Sequence, residues 1–180
     1  TGVTVIIPHS GNIFQQKVPA AVYTGNGFGK LTGSTQVNEL GNIETPIVLT
    51  NTLSVPAAMN GLISYTLAQA GNEKISSVNA VVGETNDGFL NDIRGRHVTE
   101  QNVLTAIQSA TPNKVIEGAV GAGTGTVCFG FKGGIGSSDA AAAVGLHPYK
   151  SPLELWMEKT GQDGGLPKVD PNDDQSPMYW

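Results

Sequence analysis

Apolar positions in the first third of the chain come in short runs, Val3 to Pro8, Ala20 to Tyr23 and Pro46 to Asn51, rich in Val, Ile and Thr and separated by Gly-Asn and other glycine punctuation. That pattern predicts several short strands joined by turns. Over Val55 to Ala70 the period changes: Met59, Leu62, Ile63 and Leu67 fall at helical spacing and Gly71 supplies a stop, so a buried or half-buried helix is expected. Val78 to Gly83 returns to strand-like residues. The polar stretch that follows, Glu84 to His97 (ETNDGFLNDIRGRH), is dense in side chains suited to a site loop. Thr99 is placed to cap a second helix, with Glu100 in its first turn and Val103, Leu104, Ile107 and Ala110 on one apolar face, until Pro112-Asn113 ends it.

From Glu117 to Gly136 (EGAVGAGTGTVCFGFKGGIG) the chain is so dense in glycine that its backbone is expected to pass close to something or to adopt positive φ repeatedly, with Thr126 to Phe131 still able to form a strand. Beyond Ser138 the texture becomes helical. Asp139 to Val144 is alanine-rich, His147-Pro148 breaks it, and Ser151-Pro152-Leu153-Glu154 combines an N-cap serine, a proline at the first helical position and a capping-box glutamate. Gln162 to Pro177 is acidic and nearly free of apolar residues, which predicts a loop or a disordered stretch. Met178-Tyr179-Trp180 reads as the start of another buried element, so the stop reads as truncation, and a start at Thr1 without Met reads as a trimmed front.

A length of 180 residues suits one domain, or a domain with an appendage. No apolar run approaches the ~20 residues a bilayer span requires, which argues against a membrane protein. The net charge of -5 is uneven: residues 1–136 carry seven Lys/Arg against eight Asp/Glu, and residues 137–180 carry three against seven. No basic stripe is visible, so nucleic acid is not an expected partner. The single cysteine, Cys128, excludes an intrachain disulfide and any multi-cysteine metal site, and in the middle of a strand candidate it reads as a buried, inert thiol. Compartment stays open, with the cytoplasm favoured. His9, His97 and His147 are far apart without acidic neighbours at ligand spacing, so neither a metal nor a cofactor is expected. The GAGTG string at Gly121 to Gly125 lacks the Gly-Lys-Ser/Thr of a phosphate loop and the spacing of a dinucleotide fingerprint. Glu39 and Glu44 read as solvated carboxylates near turns, and Asn51-Thr52 as a turn cap. In Gly133 to Ser138 (GGIGSS) a glycine-serine bond sits in permissive backbone. Such a bond is common in linkers. It is also what an N-terminal-nucleophile hydrolase cleaves in itself: the serine hydroxyl attacks the preceding carbonyl, and the freed α-amine then serves as its base.

Taken together, GVTVIIP at the front, GNGFGKLTG at 25–33, QVNELG at 36–41, PIVLTNTLSV at 46–55, VVGETNDGFLNDIRGRHV at 81–98 and EGAVGAGTGTVCFGFKGGIGS at 117–137 resemble, in order and spacing, the DmpA-type self-processing aminopeptidases, which include the β-peptidyl aminopeptidases. The resemblance covers about three-quarters of the chain. It implies an α+β fold, half of a layered α/β/β/α-type sandwich, with residues 1–136 as an α-chain-like domain and 137–180 as a short helical and loop appendage. It further implies Ser137 as nucleophile, Gly136-Ser137 as the self-cleaved bond, Asn91 as an amide donor to the oxyanion and Glu39 near the free amine of the substrate. The substrate class implied is short peptides and aminoacyl amides or esters. The family's other catalytic hydroxyl and carboxylate lie in a β chain that this sequence lacks, so a β-type chain, or further copies in an oligomer, is the implied partner and little turnover is expected from this chain alone.

Residues 133–180, from GIGSSDAAAAVGLHPYKSPLELWMEKTG to SPMYW, resemble instead the opening of YqaJ-type viral recombinase nucleases, although Ser137 stands where that family usually has a second glycine. The metal-binding carboxylates and catalytic lysine of such nucleases lie further along than Trp180, so this resemblance brings no metal site with it. The two resemblances meet at the same glycine-serine string. A chimera joined there is the simplest account, and a natural α-chain homologue with a divergent tail the alternative. Against the aminopeptidase reading stand a non-catalytic interaction module and, last, a truncated DNA exonuclease piece.

Overall fold

The computed structural model describes residues 1–24, 27–112, 115–128 and 130–136. Ser137, the two expected tail helices and the acidic loop lie outside the described residues. Within Thr1–Ile135 the elements run β1 (Val3–Ile6), β2 (Val18–Pro19), α1 (Ser34–Leu40), β3 (Asn42–Ile43), β4 (Ile47–Asn51), α2 (Val55–Leu67), β5 (Val81–Thr85), α3 (Glu100–Ser109), β6 (Val127–Cys128) and β7 (Phe131–Lys132).

The central sheet has the order β1-β4-β5. β1 lies antiparallel to β4 with Val3 opposite Thr50, and β5 lies parallel to β4 with Ile47 opposite Val81 and Asn51 opposite Thr85. A parallel pair needs a crossover, and α2 supplies it. The two-residue period of the strands then assigns side chains to two cores. Val48 and Val82 join Val55, Ala58 and Leu62 of α2 and Val103 and Ile107 of α3 in the larger one, with Val3 and Val5 packed against it. Ile47 and Val81, one residue away on the same strands, meet Val37 of α1 and Ile43 of β3 in the smaller. Both faces of the sheet are therefore covered, α2 and α3 on one and α1 with the β2-β3 pair on the other.

Local chemistry sets where the helices begin and end. The Asn51 side-chain oxygen accepts from the Ser54 amide at 3.0 Å and starts a 3₁₀ turn, Thr52–Ser54, that leads into α2, where Pro56 sits in a first turn that needs no N–H from it. Gly71, at φ 90°, lies just past the end. At α3 the Asn102 side chain accepts from the Thr99 amide at 2.8 Å, and a Cβ on Gly61 would come within 2.8 Å of the Val103 Cβ, so glycine is what lets α2 and α3 approach so closely. The apolar face of α3 is narrower than its sequence suggests: Val103 and Ile107 are buried, whereas Leu104 is half-buried and Ala110 exposed beyond the last turn.

Four further expectations need correction. Residues 20–23 form no strand; the pairing with β3 stops at Pro19, although Ala20 and Val22 still pack against the smaller core. α1 was hidden because only Gln36 and Val37 of its seven residues are buried and Leu40 is exposed, leaving no apolar period; left-handed glycines bound it, Gly33 at φ 74° and Gly41 at φ 66°. Val127–Cys128 pairs with Phe131–Lys132 in a β6-β7 hairpin where one strand over 126–131 was expected, and Cys128 on it is exposed rather than buried. Glu44 is buried rather than solvated. It accepts from Lys17 at 2.5 Å, from the Asn79 amide at 2.8 Å and from Gln36 at 3.2 Å. Burial pushes its carboxyl up, but these bonds and the Lys17 charge outweigh that and hold it below the usual glutamate value.

Candidate active site

The parallel strands β4 and β5 end side by side at Asn51 and Thr85, and the carboxyl ends of parallel strands are where open sheets tend to place polar sites. Just past β5 the chain turns through Asn86 to Asn91, with the Leu90 and Asn91 amides both bonded to the Asp87 carbonyl, the latter at 2.9 Å. This turn buries the Asp87 side chain to 1% exposure. Its Oδ2 accepts from the Thr1 hydroxyl at 2.5 Å, Asn91 Nδ2 at 3.0 Å and Asn51 Nδ2 at 3.4 Å, and the Thr1 ammonium lies 3.2 Å away. Its Oδ1 is buried with no partner among the described residues. Burial raises the carboxyl's pKa, but the bonds from Thr1, Asn91, the terminal amine and Asn51 together exceed that effect and leave it below the usual aspartate value. At neutral pH the centre of the site is thus a buried, charged acceptor.

Asn91 joins this centre to the glycine-rich segment. Its Nδ2 donates to Asp87 and, at 2.9 Å, to the carbonyl of Thr124, so both amide hydrogens are engaged. The neighbouring Gly125 sits at φ 86°, and a Cβ there would overlap the Asn91 amide. Glycine is required at 125 twice over, by the backbone angle and by the close approach. Gly121 shows the same device, its missing Cβ leaving room for Thr4 Oγ1 of β1. The expectation that this segment runs close to other atoms at positive φ holds at both positions. An open cleft beside the cluster is lined by Thr1, His97 and Asn102 among others.

Of the residues singled out from the sequence, Asn91 lies in this cluster. Gly136 ends the described segment and Ser137 lies beyond it. Glu39 is exposed on α1 and shares no hydrogen bond with the cluster. Asn51, read as a cap, both caps and reaches Asp87. Asp87 itself was passed over inside a polar stretch in which nothing in the sequence separates a buried carboxylate from an exposed one such as Asp92. No group of three His, Cys, Asp or Glu able to hold a metal occurs among the described residues.

Residues 1–150 match peptidase family S58. The chain belongs to that family. The β-peptidyl aminopeptidase BapA of Sphingosinicella microcystinivorans is 41% identical over 138 residues, which is 77% of this chain and 34% of that protein. Among solved structures, the PH0078 protein from Pyrococcus horikoshii OT3 is 53% identical with a TM-score of 0.69 over 73% of this chain and 38% of that one. An L-aminopeptidase D-Ala-esterase/amidase from Ochrobactrum anthropi, described as a prototype of the serine aminopeptidases and a variant of the Ntn hydrolase fold, is 30% identical with a TM-score of 0.63 over 73% of this chain and 43% of that one. The α+β architecture is accordingly that of the Ntn-hydrolase aminopeptidases over the shared part. The S58 chain spans about a third of the length of the curated relative it matches. Residues 131–180 also match the YqaJ-like viral recombinase domain, so the two family matches overlap across residues 131–150, which contain the glycine-serine string. No helix among the described residues is long and apolar enough to cross a membrane.

Proposed function

We propose that this chain is the α-chain-type portion of a self-processing serine aminopeptidase or amidase that releases N-terminal residues from short peptides, amides or esters. Ser137 is the nucleophile in this reading and Gly136-Ser137 the bond it cuts: its hydroxyl adds to the Gly136 carbonyl, the resulting ester is hydrolysed, and the freed α-amine becomes the base for the next acyl transfer. Asn91 donates to the oxyanion, a contact whose loss costs about 10²-fold or more in rate, and Glu39 pairs with the substrate's ammonium. A β-type partner supplies the remaining groups, so the chain alone turns over little substrate. The observation that carries the reading is Asn91, held at the strand ends by a buried carboxylate in a chain of family S58.

The decisive test is the intact mass of the purified chain after incubation at neutral pH, beside Ser137→Ala. Two pieces divided between Gly136 and Ser137 in the parent alone are the expected result. A single uncut mass in both refutes an activated serine in this chain. That outcome favours a non-catalytic interaction module, a reading supported by the exposure of Phe89 and Leu90 beside Asn91 and of Ile116 and Phe131.

A further inference from the structure

We propose that Asp87 is the positioning residue of this site: it keeps one Asn91 amide hydrogen permanently, so that the bond to the Thr124 carbonyl is the one an incoming oxyanion replaces. The inference rests on the role proposed for Asn91 and gives that role its geometry.

Three observations support it. Both Asn91 hydrogens are engaged, so the amide can serve a new acceptor only by giving one up. The two bonds are unequal, because the Asp87 acceptor is a buried carboxylate and the Thr124 acceptor a neutral carbonyl, and bonds to charged groups are the stronger. Thr124 therefore stands as a substitute acceptor that substrate can displace. Both partners accept only, which also fixes which end of the Asn91 amide faces them: turned over, its oxygen would meet two oxygens.

A structural rival is that Asp87 merely holds its own turn together. The bonding pattern argues against that. Asn86 accepts from the Gly88 amide, Asp92 from the Gly95 amide and Asn51 from the Ser54 amide, the ordinary local caps. The Asp87 carboxylate accepts from no backbone amide of its turn. Besides Asn91 at the far end of the turn, its donors come from outside it, from Thr1 just ahead of β1 and from Asn51 at the end of β4. A carboxylate buried at the cost of leaving one oxygen unpartnered, with its bonds directed at other polar side chains, is arranged to orient them.

The test reads the Asn91 side-chain amide by NMR in the 180-residue chain and needs no turnover. In the parent, the proton facing Asp87 is expected to shift with a midpoint matching that of the Asp87 carboxyl carbon; the charged group in contact with that carboxyl is the Thr1 ammonium. In Asp87→Ala, hydrogen exchange of the Asn91 amide is expected to accelerate about tenfold or more, as loss of a bond to a charged group implies. Asp87→Asn, which keeps a carbonyl oxygen, is expected to restore part of the protection. An Asn91 amide that ignores the Asp87 titration overturns the proposal, as does exchange unchanged in a folded Asp87→Ala. Should Asp87→Ala fail to fold, the titration of the parent decides alone. A chain that never cuts Gly136-Ser137 can pass this test and one that does cut can fail it, so the two readings fall separately.

Discussion

Gly125→Ala puts the contact between the glycine-rich segment and Asn91 under direct strain. At φ 86° an L side chain is disfavoured, which costs about 1–2 kcal/mol. The new Cβ also overlaps the Asn91 amide, which has to leave. Its departure forfeits the bond to the Asp87 carboxylate, worth about 1.5–3 kcal/mol, and the bond to the Thr124 carbonyl, worth about 1 kcal/mol. The whole loss is then about 3–6 kcal/mol, a large part of the roughly 5–15 kcal/mol by which domains are stable. Asn91→Ala isolates the two parts, because with the amide already gone Gly125→Ala should cost only its backbone share. Urea unfolding of the parent, both single variants and the double variant, followed by the helical circular dichroism signal, is expected to give a coupling of about 2–4 kcal/mol between the two positions. Additivity within about 0.5 kcal/mol would refute the reasoning, since sites that share no contact add to that degree.

Two further outcomes are expected. Asp87 and Glu44 both have folded pKa values below their ordinary ones, so near those ordinary values the unfolded chain binds more protons and stability rises with pH. The contribution is complete above about pH 5 and is lost as pH falls through the unfolded and then the folded values, so the urea midpoint should drop from about pH 5 to pH 3 and below, and Asp87→Asn should flatten that drop. A midpoint that stays level in the parent contradicts the assignment. Cys128, exposed on β6, should react with a thiol reagent in the folded chain at about the rate seen in urea, whereas a rate that rises sharply only on unfolding would mean the hairpin is covered in solution.

The parts of the fold that were legible in the sequence are those where burial is periodic. α2, with Leu62 fully buried, and α3, with Val103 and Ile107, repeat every three to four residues, and the cores of β1, β4 and β5 show as runs of β-branched residues. α1 had no such signal, since it is held by its flanking glycines and one buried valine. The β6-β7 hairpin misled for the opposite reason: its apolar residues look like a core strand, yet Val127, Cys128 and Phe131 are exposed. At the site, the polar stretch after β5 was recognisable and Asn91 stood out through a family resemblance. Asp87 did not, because a carboxylate declares itself only when its donors arrive from elsewhere in the chain, and no local spacing records that Thr1, Asn51 and Asn91 converge on one oxygen.

The donors that meet at Asp87 also have a kinetic meaning. Thr1 is 86 residues from it, and the Thr1 amine closes onto Thr124 across 123. The β4-α2-β5 crossover, by comparison, is a local unit. Closing long loops is the slow part of folding, because their entropy is lost before any contact repays it. The crossover can therefore collapse early while the polar centre is still scattered, and the centre is assembled only when β1 and the glycine-rich segment have both docked. An ordered Asp87 carboxylate is in this sense a record of completed docking: any state in which the segment ahead of β1 or the glycine-rich segment remains loose lacks it.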